Sequence, residues 1–265
     1  VIDVANKYLM QEDAPIGPEL WKLLNDALVE LAKANLTGRK LLNLVGPLGF
    51  GVRQVSLGDE EIDEGVFAPK SLPLYYVHRT FELSMRDIAA FESEKITLDL
   101  SSFKKAVLEC IEFEEKLIFH GVAQQKGLLN IDEAARVNMN DWSKIGQAAE
   151  DVIEAITKLD ESGFHGPYLL ALSPDRYNKL MRRYESGNQT ELEHISMMVK
   201  KIYKAPILKN SGVLICDSPM YASLIIGQDL SVGFIGPKEQ ALEFSVSESL
   251  ALLVREPKSI CVLRG

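Results

Sequence analysis

Residues 38–58 read GRKLLNLVGPLGFGVRQVSLG, and what the clustered glycines do there decides which kind of fold surrounds them. Gly46, Gly49 and Gly51 follow the basic pair Arg39 and Lys40, in the manner of a phosphate-binding loop. A Walker loop, however, runs from its glycines into Lys-Ser/Thr at a helix start. Here they run into VRQVSL, with no such lysine. The dinucleotide fingerprint fails as well, because the order is G-x-x-G-x-G and no helix is predicted behind it. Glycines in an extended arm instead permit tight turns and close approach of backbone to a neighbouring subunit.

The surrounding stretch from Gly46 to Pro73 supports an arm. Short β-prone runs (GVRQVSL, GVFAP) alternate with acidic, glycine-containing turns such as LGDEEIDEG, and there is little apolar mass to bury. A segment this long without helix or core is unusual inside a compact domain and marks a functional extension.

On either side, regular structure is expected. A helix begins near Pro18, with Trp21, Leu24, Leu28 and Leu31 at spacings of three and four, and Gly38 as its stop. SLPLYYVHRTFELSM alternates in the manner of a strand. After DLSS comes the strongest helix, capped by Asp99 or Ser101, with Phe103, Val107, Cys110, Ile111, Leu117 and Ile118 as its buried stripe and Gly121 as its end. The second half predicts a helix over Ser143–Glu161 carrying Ile145, Ala149, Val152, Ile156 and Leu159, then the strand PYLLALS. A further helix runs from Ser173 and Pro174 through Tyr184 to the polar loop ESGNQTE. Strands KIYKAP, GVLICDS, LIIGQDLSVGF, ALEFSVSE, SLALLVREP and SICVL follow. Helices mixed with late antiparallel runs make an α+β fold.

The bulk properties restrict the function. A chain of 265 residues holds one large or two small domains, and its formal charge of −9 argues against phosphate neutralisation and hence against nucleic acid. No apolar run is long enough to span a membrane, and VIDVANKYLM lacks the features of a secretory signal. The missing initiator Met leads to the expectation of a processed or omitted upstream segment. Cys110, Cys216 and Cys261 sit among apolar neighbours and read as buried free thiols of a reducing compartment, the cytoplasm.

Catalytic motifs are lacking. His78, His120, His165 and His194 are isolated, and no cysteine pair has zinc spacing. The acidic group Glu109, Glu112, Glu114 and Glu115 lacks the Glu-x-x-His of a di-iron helix, since Leu117 precedes His120; it reads as a solvated face with Glu112 and Lys116 at i,i+4. There is no G-x-S-x-G elbow. Asn35-Leu-Thr37 and Asn188-Gln-Thr190 match the glycosylation sequon and read as accidental in a cytoplasmic chain.

LTGRKLLNLVGPLG, KSLPLYYVHRTFEL, DLSSFKKAVLECIEFEEKLIFHG, KGLL, GPYLLALSPDRY and GQDLSVG occur in that order from about Ala14 to the C-terminus. Together they resemble an encapsulin, the shell protein of bacterial and archaeal nanocompartments. The resemblance implies the tailed-bacteriophage major capsid protein (Hong Kong 97 type) fold. By position, 1–13 would be a linker or N-terminal arm; 14–47, 74–131 and 223–252 the peripheral domain; 48–73 the extended loop; 132–222 and 253–265 the axial domain. The chain would self-assemble into an icosahedral, virus-like shell, with its arm mobile from Leu48 to Pro69 in isolated subunits. It would be no enzyme itself.

The same resemblance implies an inner-wall groove for a cargo targeting peptide, using Leu24, Leu28, Leu31, Leu36, Arg39 and Asn43 with Asp229 and Leu230. It places the five-fold pore loop at Ser186, Gly187, Asn188, Gln189 and Thr190. Some relatives stack a flavin on a tryptophan after the T-F-x-L strand; Arg86 stands there in TFELSMRD, so neither flavin nor any other cofactor or metal is expected in the shell domain. The cargo would be a ferritin-like or other oxidative-stress protein, and iron would reside in that cargo, serving iron storage and oxidative-stress protection. Some archaeal members fuse such a domain ahead of the shell domain, which the arm-like start fits. Two other readings stay open: a viral capsid protein packaging nucleic acid, weakened by Lys7 being the sole basic residue among the first 20, and a soluble hydrolase, weakened by the missing nucleophile motif.

Overall fold

The structure, a computed structural model, describes residues 7–185 and 187–265. In chain order its elements are α1 (Pro18–Asn35), α2 (Gly38–Leu41), β1 (Asn43–Val45), β2 (Gln54–Asp63), β3 (Val66–Pro73), β4 (Tyr75–Ser84), α3 (Met85–Glu94), α4 (Ser101–Phe119), β5 (Gly121–Val122), β6 (Gln125–Lys126), β7 (Ala135–Asn138) and α5 (Gln147–Glu161). There follow β8 (Tyr168–Leu172), α6 (Pro174–Lys179), α7 (Glu191–Ile195), β9 (Lys201–Lys204), β10 (Ser211–Cys216), β11 (Ala222–Lys238), β12 (Ala241–Val254) and β13 (Ile260–Arg264). They form two compact units: Val1–Leu36, Val45–Glu114 and Ile225–Ala251 in one, Thr37–Leu44, Glu115–Leu224 and Leu252–Gly265 in the other.

The first unit is built on helical and strand periodicity meeting in one core. From α1 come Leu20, Leu24 and Leu28; from α4 Phe103, Val107, Cys110 and Ile111; from alternate positions of β4 Val77, Phe81 and Leu83. β12 adds Leu242, Phe244 and Val246, and pairs antiparallel with β4 from Ala241↔Ser84 to Leu250↔Tyr75. Phe81 is the centre of this packing, 5.2 Å from the Phe103 ring and 5.3 Å from that of Phe244. Asp99 Oδ1 accepts the Ser101 N–H at 2.9 Å in a turn just ahead of α4, whose first helical bond runs from the Lys104 N–H to the Leu100 carbonyl, so neither Asp99 nor Ser101 stands at the cap position.

The second unit holds the five-stranded sheet β7-β13-β10-β8-β9. β10 lies antiparallel to both neighbours, whereas β13–β7 and β8–β9 are parallel. Ala148, Ala149, Val152, Ala155 and Leu159 of α5 are buried, and this face joins Trp142, Leu170, Leu214 and Cys261 in the core. Ile145 falls outside the helix and is exposed, because the Asp141 carboxylate draws the Ser143 N–H into a turn ahead of it.

β2 and β3 form a hairpin paired from Gln54↔Pro73 to Asp63↔Val66, with irregularities at Ser56/Asp59 and Glu61/Asp63. Nearly all of it is exposed, and none of its residues belongs to the core of the first unit.

Several sequence expectations need correction. Gly46 does approach backbone closely, but that of its own chain: a Cβ there would lie 2.2 Å from the Ile226 carbonyl oxygen, and Leu48 and Gly49 donate to the carbonyls of Ile226 and Gly227. Gly38 opens α2 instead of stopping α1, which ends at Asn35; its small size is required because a Cβ would meet Ile118 Cδ1 at 2.4 Å. Glu114 and Glu115 are buried, not solvated, and Glu115 Oε1 accepts the amides of Thr37 and Gly38 at 2.7 Å each. The helix opened by Pro174 stops at Lys179, and ALEFSVSE and SLALLVREP are one continuous strand. Helix α3, capped by Ser84 Oγ accepting the Asp87 N–H at 3.4 Å, was not foreseen.

Candidate functional site

The outer side of α1 in the first unit borders a groove of about 600 Å³. Its wall is Ala27, Glu30 and Leu31 on one side and Thr97–Lys104 on the other, with Leu98 and Phe103 continuous with the core and Asp99, Ser101 and Lys104 supplying polar groups. A second groove, of about 450 Å³, is more apolar: Met85, Ile88 and Ala89 of α3 face Phe234, Pro237 and Leu242, with Asp13 and Glu92 at its edges. Apolar floors with a few polar groups suit the capture of short peptides.

The residues expected to hold a cargo peptide are divided by this geometry. Leu24, Leu28 and Leu36 are buried in the first unit's core, leaving no surface for a ligand to cover. Leu31 is half-buried at the larger groove. Leu230 is half-buried against the same core, and Asp229 is exposed beside it, its Oδ1 accepting the Leu230 N–H at 2.8 Å. Arg39 and Asn43 belong to the second unit, where both are half-buried on α2 and β1.

The expected pore loop lies in the second unit. Ser186 falls outside the described residues; Gly187, Asn188 and Gln189 are exposed. The base of the loop is tied: Arg183 and Thr190 form a bridge, and the Tyr184 N–H donates to the Gln189 carbonyl at 3.0 Å. Thr190 caps α7 by a reciprocal pair, its Oγ1 accepting the Glu193 N–H while Glu193 Oε2 accepts the Thr190 N–H at 2.7 Å. The Thr190 N–H, and after it the Thr190 hydroxyl donating to the same Oε2 at 2.9 Å, hold the Glu193 carboxyl below its ordinary pKa.

Beside the loop is a cavity of about 440 Å³ lined by residues including Glu150, Tyr184, Gln189 and His194. The Tyr184 hydroxyl meets His194 Nδ1 at 2.8 Å, and burial, followed by the nearby charges of Glu191 and Glu150, raises the phenol pKa. Sequence reasoning missed this pair because the loop itself separates the partners. The Thr-x-x-Glu of the capping box was the one local signal available.

Among the described residues no group of three or more His, Cys, Asp and Glu side chains is placed to hold a metal ion. Arg86 is exposed on α3. No helix among the described residues is long and apolar enough to cross a membrane.

Comparison with known proteins identifies the architecture. The family described as "Encapsulating protein for peroxidase" matches residues 6–251. The type 1 encapsulin shell protein EncA of Myxococcus xanthus is 30% identical, with 97% of this chain and 96% of that protein aligned. A ferritin-like-encapsulin shell fusion protein of Pyrococcus furiosus is 24% identical over 63% of this chain and 47% of its own length. The crystal structure of a virus-like particle from Pyrococcus furiosus superposes with a TM-score of 0.76 at 21% identity, covering 93% of this chain and 100% of that one. The capsid protein of the myovirus XM1 gives a TM-score of 0.64 at 12% identity, covering 87% and 92% of the two chains. The α+β fold is thus that of tailed-phage capsid proteins, and the chain belongs to the encapsulin family of shell proteins.

Proposed function

We propose that the chain assembles into an icosahedral nanocompartment in the cytoplasm and encloses a ferritin-like cargo for iron storage and protection from oxidative stress. The single observation that carries assembly is the β2–β3 hairpin, an exposed arm outside the core of its own unit. Such an arm has too few contacts to be stable alone and gains them from adjoining copies. As a shell protein the chain is structural, and oxidation of iron belongs to the cargo, with no cofactor in the shell domain. The fusion protein of Pyrococcus furiosus supports a ferritin-like cargo by analogy.

Leu31, Leu230 and Asp229 are the positions through which a cargo peptide would be held: two half-buried leucines for apolar anchors, and a carboxylate for a cation. Gly187, Asn188 and Gln189 would line the opening for hydrated ions.

Negative-stain microscopy with mass spectrometry of the contents tests the reading. Closed particles holding a ferritin-like protein are expected, and intact-mass measurement separates a fused cargo from one bound by its terminal peptide. Particles with nucleic-acid absorbance would instead support a viral capsid protein. Monodisperse monomers at all concentrations would sink the shell altogether.

A further inference from the structure

The smaller groove of the first unit carries none of the residues proposed to hold cargo, and its construction points to a ligand of its own. Its floor is Ile88 of α3 with Phe234 and Leu242, all buried and continuous with the core. Met85 and Ala89 of α3, Pro237 of β11 and Pro15 ahead of α1 rise around that floor and are exposed. The Phe234 ring is held in place 5.5 Å from that of Phe244. The wall ahead of α1 is fixed at both ends: Gln11 Nε2 donates to the Val232 carbonyl at 2.6 Å, and the Gly17 N–H donates to Glu92 Oε1 at 2.6 Å. The groove is thus preformed. Its volume of about 450 Å³ lies in the range of about 300–1,000 Å³ in which small molecules are held.

Its charge has one sign. Asp13 and Glu92 line the groove, and no lysine or arginine does. Of the basic residues that adjoin the lining in sequence, Lys238 is engaged by Glu82 at 2.7 Å and Glu243 at 3.1 Å, Lys95 is paired with Glu19, and Arg86 is exposed outside the lining. Among the described residues neither lining carboxylate has a lysine or arginine as partner.

An apolar floor edged by two such carboxylates selects a ligand that is apolar at one end and cationic at the other. The formal charge of −9 adds to the attraction, and it favours a free cation over the surface of another acidic chain. We propose that the groove is a binding site for a small primary amine with an aromatic or alicyclic body. The ring lies on Ile88, Phe234 and Leu242, and the ammonium group stands at Asp13 and Glu92. Met85 packs against the ring, its unbranched thioether adapting to the shape it meets. The site does not depend on what the shell encloses.

The test uses the full-length chain in the assembly state in which it is purified, with three probes that share one ring: 1-naphthylmethylamine, the neutral 1-naphthalenemethanol and the anionic 1-naphthoic acid. Equilibrium dialysis at neutral pH should show saturable binding of the amine, about tenfold tighter than that of the acid, with the alcohol between them. Ala89→Trp fills the groove from an exposed position and should abolish saturable binding of all three. Asp13→Asn combined with Glu92→Gln, which keeps an acceptor for the Gly17 N–H, should bring the three probes within about twofold of one another. Amine binding that does not saturate, or that survives Ala89→Trp, is attraction to the acidic surface at large and overturns the site. Equal binding of amine and acid by the parent overturns it too. Binding by dissociated subunits that is lost in particles would mean that an adjoining copy covers the groove, and is a third refutation. Where Ala89→Trp fails to fold, the double variant decides alone, since it alters only exposed carboxylates: an amine-to-acid ratio unchanged from the parent overturns the proposal.

Discussion

Glu115 and Gly38, 77 positions apart in the chain, are joined by a 2.7 Å hydrogen bond from the glycine amide to Oε1 of a buried carboxylate. The same oxygen takes the Thr37 amide, so the carboxylate satisfies two donors at the start of α2, where helix amides lack intrahelical partners. Glu115→Ala leaves both unanswered and should cost about 3 kcal/mol in urea unfolding, while Glu115→Gln, which keeps an acceptor oxygen, should cost about half as much. Equal losses would show that the cost comes from the charge of the carboxylate, since Gln keeps both the side-chain volume and an acceptor oxygen.

Asp151 repeats this design within the second unit. Its carboxylate accepts the Trp142 indole N–H at 2.6 Å, the Asn140 N–H at 2.8 Å and the Asn140 side-chain amide at 2.5 Å. Asp151→Asn sets an amide donor among donors and should cost roughly 2–3 kcal/mol. Trp142 reports the change directly: its indole is fully buried, so its emission should shift to the red before global unfolding in the variant only.

The contrast between these carboxylates and the rest of the chain shows what the sequence could reveal. The stripe of α4 from Phe103 to Ile118 was readable because its period is local, and the six named residues are all buried. Glu114 and Glu115 were misread because the amides that receive Glu115 lie far back in the sequence. β12 was divided in two because Ser247, Glu248 and Ser249 interrupt its apolar run, yet all three are buried. The two serines are accommodated there by Gln228 on β11, whose N–H donates to Ser249 Oγ at 2.8 Å and whose amide donates to Ser247 Oγ at 3.0 Å. At the candidate groove the helical period placed Leu24, Leu28 and Leu31 on one face, but the face was broader than the groove. Which leucine remained half-covered depended on residues 97–104, whose position the helix could not announce.

The thiols yield a pH dependence. Burial pushes Cys110 and Cys261 up to about 12, and moves Cys216 in the same direction. Unfolded thiols ionise near their ordinary value, about 8.5. Between that value and about 12 the unfolded chain therefore binds fewer protons than the folded one, and stability falls as pH rises. The stabilisation is full below about pH 8.5. Urea midpoints should decline between about pH 9 and 11, less steeply in the Cys110→Ala/Cys261→Ala variant. At neutral pH a thiol reagent should label the native chain slowly and all three cysteines at once in denaturant.

Tyr184→Phe removes only the hydroxyl that meets His194, leaving the ring contact at 5.7 Å. The expected loss is about 1 kcal/mol, felt locally. Amide exchange should quicken across residues 184–190 while the five-stranded sheet keeps its protection. Thr190→Ala should do the same by a second route, since it removes the cap of α7. Unchanged exchange in both variants would mean that the loop is ordered by something other than its tied base.

The hairpin gives the most decisive experiment, because its removal should separate folding from assembly. None of its residues enters the core of the first unit, and its two stems are closed on each other by the 2.8 Å bond from the Leu74 N–H to the Arg53 carbonyl. Replacing residues 57–70 by a short Gly-Ser turn should therefore leave the Phe81–Phe103–Phe244 packing intact, visible as an unchanged near-ultraviolet dichroism spectrum, while particles disappear from micrographs. In the unaltered chain, amides of β2 and β3, unlike those of Leu48 and Gly49 that donate to β11, should exchange quickly in dissociated subunits and slowly in particles, since only contact with adjoining copies supplies the missing burial. Equal protection in the two states, together with particle formation by the shortened chain, would show that the arm folds for itself and contributes nothing to the wall.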